Sequence, residues 1–450
     1  MRGAIAAGHP LTAQAGAEAL RAGGNAVDAC VAAAFVAFVA EGPLAGPTGG
    51  GFLLVHEPGR PAVVLDCFFA VPMTLLGVME EVVVGFADAG TQTFHVGEGS
   101  VAVPGIVRGL EEGHRRFGSL PWPDLVEPAI ALAHDGFERD QARAFLHEII
   151  GAILLRSEGG RRVYGNPDRV VTAELVPTLE RIQHDPDGAV AALLPEFAAD
   201  LDAYAVREVE PLASDVFGTT VLATPAPSRG GRVVVEILER LDRDPEWTLA
   251  KQAEAIAAAY GASAKGLLTG TTHVSVVDAS GRAVGLSMTL GSGSGVFREG
   301  SQLNNMLGEL DVIGERERRA GERLPSMMTP TLVLDGEVPR LVLGSAGSVR
   351  IAGAIAQVAY RVIAGREPVP AAIAAPRVHV DGSTVHVEGG WPDDAVAQLE
   401  GLEGHEIVRW AGRNLFFGGV SAVERREDGS LDAAGDPRRG GHGVVVEEAS

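Results

Sequence analysis

Hydrophobic and polar positions along the chain change their period near residue 270. Up to that point helical spacing dominates. A short apolar stretch, Gly3–Ala7, reads as a strand, and the turn Gly8-His9-Pro10 leads into a helix from Leu11 to Ala22. Gly23-Gly24 breaks it, and Asn25 is placed to cap a second helix over Ala26–Ala40. Gly49-Gly50-Gly51 precedes a strand at Phe52–His56, and three glycines there imply close backbone approach, to another element or to a ligand. A strand at Ala62–Leu65 leads to Asp66-Cys67-Phe68-Phe69. Helices then end near Phe117 and run from Leu125 to His134, and Glu138 to Glu210 is mostly helical in spacing. The loop Thr224 to Gly231 precedes a helix at Val233–Leu241, and a last helix covers Leu249–Ala262.

Beyond residue 270 the pattern alternates. Thr272–Val277 and Ala283–Thr289, joined by Asp278-Ala279-Ser280-Gly281, predict a hairpin. Gly291-Ser292-Gly293-Ser294-Gly295 reads as a flexible loop. Further strands are expected at Thr331–Leu334, Leu341–Leu343, Val378–Val380, Val385–Val387, Val420–Val423 and Val444–Val446, with a helix over Ile351–Ile363. No internal repeat or low-complexity linker interrupts them.

A length of 450 residues allows two or three domain-sized units or one large layered core. Net charge of −22 argues against nucleic acid and against acidic membrane surfaces as partners. Cys30 and Cys67 cannot form a disulfide framework and are expected to be buried small hydrophobes. The uncharged apolar run Ala29 to Ala40 is too short for a bilayer, so no membrane span is expected. Met1-Arg2-Gly3 enters the first strand without a positively charged apolar leader, which makes the cytoplasm the expected location.

The chemistry centres on Gly270-Thr271-Thr272-His273, where a Gly-Thr bond leads straight into a strand. Thr271 Oγ could attack the unshielded Gly270 carbonyl, shift the peptide to an ester and, after hydrolysis, become a new N-terminus. Such a threonine carries its own base, because an α-amine of pKa about 7.7–8.0 is partly unprotonated near neutrality. The pattern around it extends over the whole chain. It includes Gly8-His9-Pro10-Leu11, Gly23-Gly24-Asn25-Ala26-Val27-Asp28-Ala29 and Gly49-Gly50-Gly51-Phe52. It continues through Ser100-Val101-Ala102-Val103-Pro104-Gly105, the Thr224–Gly231 loop, Leu303-Asn304-Asn305 and Asp436-Pro437-Arg438-Arg439-Gly440-Gly441.

This succession resembles the γ-glutamyltransferase family of N-terminal-nucleophile hydrolases. The resemblance implies an α+β fold, a four-layer αββα sandwich. It implies a precursor cut into a large chain, 1–270, and a small chain, 271–450, that together form one intertwined unit. It also implies acyl transfer from a small-molecule amide, in the family a γ-glutamyl compound such as glutathione, to water or an amine, with no cofactor. Thr271 matches the nucleophile, and Thr289 the threonine that hydrogen-bonds the nucleophile's hydroxyl and supports maturation. Gly347 and Ser348 fall on a Gly-Gly pair whose N–H groups form the oxyanion hole. A serine keeps its N–H in place there if the backbone φ is negative. Glu309 stands for an aspartate that binds the substrate α-amine, and Asn305 and Ser326 match substrate-binding positions. Phe68 falls where the family has an arginine for the α-carboxylate, Gly291 where an asparagine is usual, and Met306 and Met327 where polar residues are.

Three readings follow from these residues. One is a self-processing γ-glutamyl amidohydrolase or acyltransferase. A second is a related acylase for a less polar acyl group. The third is a non-catalytic binding protein on the same scaffold. His379 and His386, with Asp381 between them, lack the further ligand that a metal site needs. His9 and His273 read as structural residues.

Overall fold

The computed structural model describes residues 2–85, 91–244, 248–261, 270–402 and 404–448. Two antiparallel sheets lie face to face at its centre. The first has seven strands in the order His442–Val446, Gly3–Ala7, Gly270–Asp278, Ala283–Gly291, Gly50–His56, Val63–Cys67 and Arg207–Val209. The second has six, in the order Leu431–Gly435, Gly419–Arg425, Val338–Ala346, Thr331–Asp335, Thr219–Ala223 and Leu212–Val216. Helices Pro10–Arg21, Ala26–Ala40 and Ile106–Phe117 cover the outer face of the first sheet. Helices Gly230–Arg243 and Ile351–Ile363 cover the outer face of the second. The layering is αββα, as the resemblance implies.

Strand periodicity sorts the core. Along Gly270–Asp278, Val274 and Val276 join the hydrophobic cluster beneath the helices, whereas Val277 joins the cluster between the sheets. His273 and Ser275 share the inner face with Val277. The imidazole of His273 sits between the hydroxyls of Ser287 (2.8 Å) and Ser275 (2.9 Å), and Ser275 Oγ donates across to the Ser421 carbonyl of the other sheet. Burial pushes this imidazole down to about 3, so it stays neutral. His273 is the structural residue the sequence suggested.

The helix over Ala26–Ala40 has the expected bounds, capped by Asn25 with Asp28 completing a capping box. Gly49, Gly50 and Gly51 serve packing. A Cβ on Gly51 would lie 2.4 Å from the Ser287 carbonyl oxygen, and one on Gly50 would lie 2.8 Å from the Phe69 ring. The central hairpin is longer than read, running through Gly270 at one end and Gly291 at the other. The Thr224–Gly231 loop gives way to helix at Gly230, three residues early. The last helix of the first half ends at Tyr260, and Ala262 lies outside the described residues. The pair Leu212–Val216 and Thr219–Ala223 was not read from sequence. Its two-residue turn, Phe217-Gly218, has φ of +50° and +72°, a geometry usually announced by Asn-Gly. Both cysteines are buried free thiols, with Cys67 pushed up to about 12 by burial.

Candidate active site

Thr271 lies opposite Thr289 in the central hairpin, at a register shift between Gly270 and Thr271. By alternation its side chain faces the space between the sheets, and it borders a small cavity there (≈ 20 Å³). Thr289 Oγ1 donates to the Gly270 carbonyl oxygen and accepts from the Gly291 N–H at 2.8 Å. The resemblance assigned this hydroxyl to the Thr271 side chain. With its single proton on the carbonyl of the Gly270–Thr271 bond, it can meet Thr271 Oγ only as an acceptor. The bond it polarises is the one that self-cleavage would break.

One wall of the cavity carries its only charged lining group among the described residues, Glu309. Its Oε1 accepts from the Ser292 N–H and hydroxyl, both at 2.7 Å. Burial dominates these bonds and raises the carboxyl to about 7. Gly291, at φ +70°, is required here: a Cβ would sit 2.2 Å from Asn305 Oδ1 and 3.1 Å from Glu309 Oε1. Asn305 itself is fully buried behind Gly291, where Oδ1 accepts from the N–H groups of Ser292 and Gly293. These bonds brace the loop behind Gly291, next to the cavity wall that Glu309 supplies. Ser326 does line the cavity, its hydroxyl accepting from the Met328 N–H at 3.0 Å.

The remaining walls are apolar: Phe68, Met306, Val312, Met327, Met328 and Ile351. Phe68 is locked in place, stacked on Phe52 at 5.2 Å and edge-on to Phe69 at 4.9 Å. The arginine nearest this segment, Arg323, is not in the lining. It donates to the Phe68 and Ala205 carbonyls and lies over the Tyr204 ring at 3.9 Å.

The turn after Val338–Ala346 closes the cavity. Gly347 has φ +132°, and a Cβ on it would come within 2.9 Å of Gly418 Cα. Ser348 has φ +56°, in the left-handed region, so the expected negative φ is not what a serine adopts here. Its hydroxyl is buried without a hydrogen-bond partner, at the cavity wall beside Thr271.

A second small cavity (≈ 20 Å³) borders Thr271 from the other side and brings in residues the sequence did not single out. Thr272, facing the helices, donates to Glu41 at 2.7 Å, and Thr12 donates to the other oxygen at 2.8 Å. Arg143 lies 3.6 Å from Glu41 and donates to the Gly8 carbonyl. Gly8 is needed for this approach, since a Cβ would sit 2.5 Å from Glu41 Oε2. Glu41 is 231 positions from Thr272, and no local spacing links them. His9 caps the first helix through Nδ1, in line with a structural role. His379 and His386 are cross-strand partners, and no cluster of three or more His, Cys, Asp or Glu able to hold a metal occurs among the described residues. No helix among the described residues is long and apolar enough to cross a membrane.

Comparison with known proteins places this geometry. The chain is 30% identical to a glutathione hydrolase proenzyme of Pseudomonas aeruginosa, with 99% of this chain and 94% of the relative aligned. It is 27% identical to the acylase ACY 1 proenzyme of Pseudomonas sp. strain SE83, over the same shares of each. The crystal structure of cephalosporin acylase from Bacillus halodurans superimposes with a TM-score of 0.83 at 22% identity, covering 100% of this chain and 96% of that one. The profile of the γ-glutamyltranspeptidase family matches residues 12–187 and 246–446. The chain belongs to the γ-glutamyltranspeptidase family, with the N-terminal-nucleophile hydrolase fold.

Proposed function

We propose that this chain is a self-processing amidohydrolase whose nucleophile is Thr271, and that its acyl group is less polar than γ-glutamyl. In maturation Thr271 Oγ attacks the Gly270 carbonyl carbon while Thr289 holds the carbonyl oxygen. The C–N bond breaks as the ester forms. That break frees the Thr271 α-amine, which takes up the hydroxyl proton, and water then hydrolyses the ester to release the Gly270 carboxylate and restore the Thr271 hydroxyl. The products are chains 1–270 and 271–450. They stay together because both contribute strands to each sheet. In turnover the α-amine takes the Thr271 hydroxyl proton as Oγ attacks the substrate amide, and passes it to the leaving amine. The Ser348 turn faces the developing oxyanion. Water or a second amine then takes the acyl group from the ester.

The apolar lining supports the choice of acyl group. A γ-glutamyl donor would bury its α-carboxylate against Phe68, with no cation in the described lining. A buried carboxylate without a partner is strongly disfavoured. Glu309 favours the other reading, γ-glutamyl transfer, because an anion remains at the place suited to an α-ammonium group. The two are separated by a panel of p-nitroanilides carrying aliphatic, aromatic and γ-glutamyl acyl groups. Apolar acyl donors should be turned over with kcat/KM at least about 100-fold above the γ-glutamyl donor, the scale of discrimination set by unpaired polar groups. A γ-glutamyl donor that leads the panel would overturn the apolar assignment.

A further inference from the structure

The loop Thr224 to Gly231 and the helix after it border a groove (≈ 420 Å³) that the reaction described above leaves unused. It lies next to the Thr271 cavity. Met327 lines both spaces. Val349, in the groove wall, directly follows Ser348 in the cavity wall. Arg229, also in the groove wall, donates its Nη2 to the carbonyl of Val312, a cavity residue, at 3.1 Å. The loop is stitched to the cavity by backbone as well: the Arg229 N–H donates to the Ser326 carbonyl at 2.8 Å, and Ser228 Oγ to the Met328 carbonyl at 2.7 Å. Tyr260, on the opposite wall, donates to the Val349 carbonyl.

The chemistry of the groove differs from that of the rest of the molecule. In a protein of net charge −22, its charged lining is Arg229, Arg232 and Glu236. Glu236 is already paired with Arg240 at 2.9 Å. Arg232 is exposed and makes no hydrogen bond or ion pair among the described residues, and the one side-chain bond of Arg229 goes to a neutral carbonyl. Thr224, 1% exposed, is in the groove wall with its hydroxyl unpartnered. Pro225, Pro227 and Val233 supply apolar surface.

We infer that this groove holds the amine half of the substrate, and that this half carries a carboxylate met by Arg229 and Arg232. The inference rests on the reading of Thr271 as an acyl-transfer nucleophile. An amide bound with its acyl group against Phe68 and its carbonyl at Ser348 must send its amine half outward. The second cavity at Thr271 is far smaller than the groove, and Glu41 and Arg143, bound into their own network, line it. The groove is large enough for an amino acid or small peptide, and two guanidinium groups suit a carboxylate.

The first test needs no acyl donor. The purified full chain is titrated with 4-aminobenzoate and with aniline. 4-Aminobenzoate should bind at least about 10-fold more tightly, and the difference should shrink with added salt. It should vanish in the double variant Arg229→Ala/Arg232→Ala and persist in Arg243→Ala, on the same helix but outside the groove. The second test compares amides of one acyl group with 4-aminobenzoate and with aniline, reading the ratio of their kcat/KM in the same variants. Turnover of both amides with no preference, or a preference that the double variant keeps, would overturn the groove assignment and leave the proposed reaction standing. Arginine-dependent binding of 4-aminobenzoate without turnover of any amide would do the reverse.

Discussion

Ser348 holds a left-handed backbone that glycine adopts without cost, and its buried hydroxyl has no protein partner. A non-glycine residue held there typically costs about 1–3 kcal/mol, and such strain clusters at functional sites. Ser348→Gly should therefore raise stability to urea by about 1 kcal/mol while lowering kcat, since it removes both the strain and a hydroxyl at the reacting carbonyl. Ser348→Ala keeps the strain and loses only the hydroxyl. It should lower kcat as well, with no gain in stability. Equal activity in all three proteins would leave the serine without a role in turnover. At this scale the sequence was readable where a residue acts through its neighbours in the chain. Thr271 and Thr289 were legible from their motif and spacing, and Gly291 and Phe68 as departures from it. Glu41 and Arg143 were not, because a lone acid at a helix end carries no mark of a threonine 231 positions away. Asn305 was legible as a residue, and the loop it braces became visible only in the fold. Whether a buried amide meets the substrate or braces the loop behind it depends on which side of Gly291 it lies.

The hairpin Gly270–Asp278 with Ala283–Gly291 is the element that orients the site, and its alternation was plain in the sequence. Odd-numbered residues of its first strand turn inward, which sends Thr271 to the cavity and His273 across to the second sheet. That second sheet makes room for the imidazole at Gly344, where a Cβ would lie 2.3 Å from His273 Nδ1. Gly344→Ala should destabilise the protein by about 1–3 kcal/mol, the usual penalty of overpacking a core whose neighbours cannot yield. A urea midpoint unchanged from the parent would show that the sheets separate there more easily than their packing implies. Elements with strong periods, such as Ala26–Ala40 and Ile351–Ile363, were found within a residue of their bounds. The Leu212–Ala223 hairpin was missed, because its turn places Phe217 at a positive φ and hides the usual Asn-Gly signal.

Across the whole molecule, burial sets the response to acid. His147 and His273 are lowered to about 3 and His386 to about 4, chiefly by desolvation. Each is neutral when folded and takes a proton on unfolding below its ordinary value of 6.5, so the stability it contributes is lost as pH falls from there towards 3–4. Glu309 has the opposite sign. Raised to about 7, it gains stability as pH falls towards its ordinary 4.5. His56 and His379 are lowered as well and Glu111 and Glu424 raised, so the histidines outnumber the carboxyls and stability should fall between pH 7 and pH 5, read as a drop in the urea midpoint. A midpoint that rises over that interval would contradict the buried, neutral state of these rings. The layered architecture itself was legible only through the family resemblance, because periodicity identifies strands but not which sheet they join. The first sheet takes strands from both ends and the middle of the chain. That weave matters to the central claim, since a cut before Thr271 would leave two chains sharing each sheet. Intact-mass analysis of the purified protein beside Thr271→Ala tests the claim most directly. The account predicts two fragments, 1–270 and 271–450, in the parent and one uncut chain in the variant. A single full-length mass for both, or a Thr271→Ala protein cut at the same bond, would contradict it.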